Sequence, residues 1–243
     1  MPRERTRPPD LKEACVQAAR EVIAELGVEG LSMRDVARKL GISHQAPYRH
    51  FESRDHLLAE IMRRCFADFA RHLDAPLAGT DDRSDLAAMG EAYLDYAIAK
   101  PLEYRLMFGT PWPEPAQHAG LVADAVHAFD ILRNNLRRRH GKGAGMQARA
   151  DLDALFIWSA LHGMASISQS QAMDNLQLAP GVATAFRGYL MQKVGIALGS
   201  PGELQPALPA LDAAPAKRLP ASRALLRRPG QASTAASRRR SIG

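Results

Sequence analysis

The sequence has no run of about 20 apolar residues, so it offers no membrane-spanning helix. Its opening, MPRERTRPPD, is followed by no apolar stretch and does not read as a secretory signal peptide. A cytoplasmic protein is the expectation. Cysteine is scarce: Cys15 and Cys65 both fall within helical patterns and read as buried thiols. Two are too few for a disulfide framework or a structural metal site. Strand alternation is missing. So are the marks of catalysis. His118, His127, His140 and His162 are scattered, without acidic or cysteine partners at metal spacing. GKGAG at 141–145 lacks the strand, the spacing and the Lys-Ser/Thr ending of a phosphate loop. No nucleophile elbow or dyad is present, so neither an enzyme nor a metal or cofactor is expected.

Charge of one sign is also missing from most of the chain. The formal net charge is +6. All of that excess lies in residues 199–243, where eight Lys/Arg face Glu203 and Asp212. Residues 1–198 are formally neutral. Global charge is therefore no argument for nucleic-acid binding by the folded part, and local placement has to carry it.

What is present is helical periodicity over most of the 243 residues, enough for one or two domains. Arg3, Arg5 and Arg7 form a basic arm over 1–10. Asp10 caps a helix that presents Leu11, Cys15, Ala18, Ala19, Val22 and Leu26 and stops at Gly27. Ser53 caps a long helix to about Leu77. Further helices are predicted over about 83–100, 101–109, 115–140, 150–171 and 180–198. The fold class is all-α, with about nine helices. Residues 199–243, rich in Pro, Ala, Ser and Arg, read as a mostly disordered basic tail.

The most informative stretch is LSMRDVARKLGISHQAPYRHF, residues 31–51. Ser32 is an N-cap, with Asp35 placed to close part of a capping box. Met33, Val36, Ala37 and Leu40 form a small apolar face, Gly41 ends the helix, and Ile42 plugs the core. Ser43 is expected to cap a second short helix, with Pro47 tolerated in its first turn. Phe51 closes the three-helix core. This is a helix-turn-helix pattern. A recognition helix sets its N-terminal residues in the major groove, so His44, Gln45, Ala46 and Arg49 are the base-facing candidates. Gln45 suits adenine, Ala46 a thymine methyl, and Arg49 a guanine or a phosphate. Tyr48, His50 and Arg54 are assigned to phosphates, and the helix N-termini at Ser32 and Ser43 offer amide donors to the backbone.

With these residues in place, segment 11–58 resembles the DNA-binding domain of TetR-type transcriptional regulators. The resemblance is carried by Leu31, Ser32, Val36, Ala37, Gly41, Ile42, Ser43, Tyr48, His50, Phe51, Arg54, Leu57 and Leu58. WSALHG, with Trp158, His162 and Gly163, is similar to a subset of the family with a Trp…His-Gly signature. The resemblance implies phosphate contacts from Tyr48, His50 and Arg54. It also implies an effector-binding and dimerisation domain, here 59–198, and a homodimer formed through the last two long helices. Those helices are too apolar for exposed surface elements. Leu155, Ala160, Gly163 and Ile167 on the first, with Phe186, Leu190 and Val194 on the second, are the interface candidates. Met89, Tyr93, Tyr96, Tyr104, Met107, Phe108, Trp112, Phe129, Phe156, Trp158 and His162 are candidates for the wall of an effector pocket.

The expected function is a dimeric repressor that binds a pseudo-palindromic operator in double-stranded DNA. A small apolar or aromatic effector would release it, with no membrane partner. An activator of the same family and a helical interaction module that does not bind DNA are the alternatives.

Overall fold

The computed structural model describes residues 10–75, 82–143, 145–170 and 172–199. The basic arm over 1–9, the expected helix end at Leu77 and the tail from 200 onward lie outside the described residues.

Helix α1, Leu11–Leu26, starts where the Asp10 carboxylate accepts the Glu13 amide at 3.1 Å. Helix α2, Met33–Leu40, starts where Ser32 Oγ accepts the Asp35 amide at 3.1 Å. The same hydroxyl donates to the Asp35 carboxylate, a side-chain contact in place of the bond to the Ser32 amide that a reciprocal capping box would make. Gly41 ends α2 at φ 65° and ψ 30°, a left-handed conformation that glycine adopts without strain. Helix α3, Arg54–Asp74, is capped by Ser53 Oγ, which accepts the His56 amide at 3.2 Å. Cys15, Ala19, Ile23, Val36, Phe51, Leu57 and Ile61 are fully buried between α1, α2 and the start of α3. Both cysteines are free and buried, and burial pushes the Cys65 thiol up to about 12, so it is inert as a nucleophile.

The body follows as α4, Asp82–Ala99; α5, Pro101–Phe108; α6, Ala119–His140; α7, Met146–Ser168; the short α8, Ala172–Asn175; and α9, Val182–Gly199. All regular elements among the described residues are helical, and none is long and apolar enough to cross a membrane. Helix α3 runs without a break from the N-terminal head into this body and packs along α6. The expected boundary at residue 58 therefore falls inside one continuous helix. Arg63 ties that helix to α6 through Asp124 at 3.0 Å, and Arg64 ties it to α1 through Glu13 at 2.6 Å. Glu60 sits between the two arginines, and the hydrogen bond from Arg63 holds its carboxyl at about 2.

Candidate nucleic-acid interface and internal cavity

The predicted second helix of the head is not an α-helix. Residues Ser43–Ala46 form a turn, and a single 3-10 turn follows over Pro47–Arg49. Proline explains it. Pro47 has no N–H to return to the Ser43 carbonyl, which instead accepts the Ala46 amide at 3.0 Å. The i→i+3 pattern continues through Arg49 to Ala46 and His50 to Pro47. Ser43 is thus a turn residue and not a helix cap. The Pro47 ring is buried and pins the turn to the core, a packing role the sequence reading did not give it.

The turn is well presented. Ser43, His44, Gln45, Tyr48, Arg49 and His50 are all exposed, while Ser32 is half-buried in its cap. Tyr48 keeps 47% of its surface open, high for a ring that follows a buried proline. Two candidates are corrected. Ala46 is half-buried and packs against the core, so its methyl does not stand free for a base. Arg54 is turned to its own chain: Nε donates to the Leu31 carbonyl at 3.0 Å, one terminal nitrogen to the Val28 carbonyl at 2.6 Å, and the other pairs with Asp55. It clamps the loop between α1 and α2 to the start of α3. Sequence reading missed Arg34 and Arg38, which line a shallow pocket with Ser43 and His44. Their i,i+4 spacing on the exposed face of α2 was the available signal, since the first helix of such a pair crosses the DNA backbone.

In the body, α3, α4, α5, α6 and α7 enclose a cavity of about 610 Å³, within the usual range for small-molecule sites. Met89, Tyr93, Met107, Phe108, Trp112, Phe129, Trp158 and His162 line it together with Phe66, Phe69 and Leu73 of α3. Three other candidates stand elsewhere. Tyr96 is buried against α3, its hydroxyl 3.1 Å from Asp68 and 3.4 Å from the Cys65 carbonyl. Tyr104 sits behind the wall, its hydroxyl 2.7 Å from His162 Nδ1 and 2.9 Å from the Tyr93 hydroxyl. Phe156 points away, on the outer face of α7. Burial lowers the pKa of His162, so the ring is neutral at pH 7 and Nδ1 can accept the Tyr104 hydroxyl. Tyr93 and Tyr104 are raised by burial and remain protonated.

Phe108 and His162 also face a second cleft, lined by Ala24 of α1 with Leu102, Tyr104 and Arg105 of α5. Beside Tyr104 on α5, Glu103 pairs with Arg20 of α1. Glu103 thus meets the first helix of the head four residues before Met107 enters the cavity wall, on one short helix.

The last long helices leave apolar faces uncovered. Leu155 is 47% exposed, Phe156 46% and Ile167 45% on α7, with Val182, Tyr189 and Ile196 open on α9. Ala160, Gly163, Phe186 and Leu190 are half-buried along the same pair. Val194 is corrected: only 8% exposed, it packs inward. A Cβ placed on Gly163, Gly188 or Gly195 would meet nothing within 4 Å, so close approach to these backbones is unobstructed.

Two family models match the regions just described. Residues 16–61 match the bacterial regulatory proteins of the tetR family, and residues 86–191 match a tetracyclin repressor-like C-terminal domain. The chain belongs to the TetR family. Among TetR-related proteins, the HTH-type transcriptional regulator Rv1816 of Mycobacterium tuberculosis is 32% identical over 121 residues, covering 47% of this chain and 52% of the relative. The HTH-type transcriptional activator FasR of Mycolicibacterium smegmatis is 29% identical over 128 residues, covering 47% and 55%. The chain thus spans about half the length of the curated relatives it matches. A solved structure of a protein of unknown function from Rhodococcus sp. RHA1 superposes with a TM-score of 0.61 at 26% identity, covering 77% of this chain and 97% of that one. TetR regulators bind DNA and usually act as dimers.

Proposed function

We propose that this TetR-family chain is a homodimeric transcriptional repressor. It reads a pseudo-palindromic operator through the exposed turn 43–50 and leaves it when an apolar or aromatic effector fills the body cavity. The observation that carries this is α3. The same rod clamps the loop that delivers α2 through Arg54 and forms the cavity wall at Phe66, Phe69 and Leu73. Twelve residues separate Arg54 from Phe66, roughly 18 Å of helix. A ligand that fits only one tilt of α3 therefore selects one separation of the two heads, which couples the sites. Helix α5 supplies a second connection through Glu103 and Arg20.

Within this reading, His44, Gln45 and Arg49 face the groove, and Tyr48, His50, Arg34 and Arg38 take phosphates. The amides at the start of α2, beside Ser32, and at the turn after Ser43 are further donors. Arg49→Ala should lower specific operator affinity by about 1–3 kcal/mol per half-site and relax preference at one base pair in each. Binding selection from random duplexes, followed by titration, measures this; unchanged specificity with an unchanged salt slope removes Arg49 from the interface. The function itself is tested by protection of the selected operator with and without effector. Protection that no cavity-binding molecule alters would sink the release step.

An activator is the second reading, favoured by the activator FasR among the relatives. Transcription from the bound promoter, with and without the protein, separates the two.

A further inference from the structure

We infer that the cavity takes an apolar molecule bearing a single carboxylate, and that Arg133 holds that carboxylate. This rests on reading the cavity as the effector site. Among the residues lining the cavity, Arg133 is the one permanent cation, and no acidic side chain lines it. Its guanidinium pairs through one nitrogen with Asp130, one turn earlier on α6, and lies 6.0 Å over the Phe129 ring. Among the described residues it has no hydrogen bond of good geometry, and its Nε is buried without a partner. A guanidinium carries five N–H donors in a planar fork. One ion pair leaves most of that fork unmet, at a site where water is already partly excluded.

The rest of the wall has little to offer a charged group. Trp112 Nε1 donates to the Met107 carbonyl at 3.0 Å. The Tyr93 hydroxyl is held by Tyr104, and His162 Nδ1 by the same tyrosine. His162 is neutral and has no charge to give. From Arg133 the apolar path is continuous: Phe129 lies under the guanidinium, Trp158 is 5.9 Å from Phe129, and His162 is 6.1 Å from Trp158. A carboxylate at one end and an aliphatic or aromatic body along this row would match the wall. Asp130 offsets part of the attraction through an Oδ1 that is buried beside the guanidinium, and it meets only one nitrogen of the fork. The guanidinium fork favours a planar, bidentate carboxylate over a hydroxyl, and a ligand cation meets only repulsion there.

The test uses the full chain and three probes of equal length: decanoate, decan-1-ol and decylamine. Calorimetry should give one site per chain, with decanoate bound about tenfold tighter than the alcohol and the amine weakest. Arg133→Gln should bring decanoate and decanol to within about twofold. Should that variant fold poorly because Asp130 loses its partner, the neutral double variant Asp130→Asn/Arg133→Gln carries the same expectation. Equal binding of alcohol and acid by the native chain overturns the carboxylate assignment and leaves the effector site standing. So does an acid preference that survives removal of Arg133. Binding of none of the three removes both readings.

Discussion

Phe156→Glu is expected to give a folded monomer whose operator affinity has fallen about a hundredfold or more, because two linked heads become one. The ring is 46% exposed in the isolated chain, so its loss should cost the protomer no more than about 0.5 kcal/mol, the usual range for surface positions. In the proposed dimer the same position is covered. Phe156 shares the outer face of α7 with Leu152, Leu155 and Ile167, and α9 adds Val182, Tyr189 and Ile196. A run of open apolar side chains on two adjacent helices is more than a monomeric protein usually leaves to water. A carboxylate buried there without a partner costs several kcal/mol per protomer. Each head alone makes few base contacts, and a half-site binds weakly. Sedimentation at micromolar concentration and an operator titration on the same sample check both halves of the expectation. A variant that stays dimeric would move the interface off this face.

Phe156 also shows where the sequence stops being legible. Helix α7 is apolar on almost every side, so periodicity announces that it is covered but not which face meets which neighbour. Ile157 is buried and Phe156 next to it is open, yet both read alike as letters. Val194 and Ile196 on α9 divide in the same way. The tyrosines raise a related difficulty. Tyr93 lines the cavity while Tyr96 and Tyr104 do not, and the hydroxyls of the latter two meet Asp68 and His162, residues far away in sequence. By contrast, α2 was readable to the residue. Its cap, its small Ala37 and its terminal Gly41 are local devices whose physics acts within a few positions. The reading turn lies between these cases. Pro47 was visible and its missing N–H was understood. What local reasoning did not weigh is that the Ser43 carbonyl would turn to the Ala46 amide and tighten the whole segment to 3-10 geometry.

Arg54 carries the second large expectation. A phosphate contact and an internal clamp predict different results for Arg54→Ala. As a phosphate ligand it would contribute about 0.9 per protomer, about 1.8 for the dimer, to the slope of log affinity against log salt, and its loss would leave thermal stability nearly untouched. As a clamp it fixes the Val28 and Leu31 carbonyls, the two ends of the turn that delivers α2. A hydrogen bond from a charged donor contributes about 1.5–3 kcal/mol when well shielded. The Arg54 side chain is 37% exposed, so the pair is discounted for solvent to about 2 kcal/mol in all. That corresponds to a fall in Tm of about 4–8 °C for a chain of this size. The structure therefore predicts a lower Tm, weaker operator binding through a loosened α2, and an unchanged salt slope. Arg54→Lys should recover less than half of the lost stability, because one ammonium cannot reach both carbonyls as a fork does. Thermal melts and titrations at several salt concentrations decide between the two. An unchanged Tm with a slope reduced by one contact per protomer would return Arg54 to the DNA backbone.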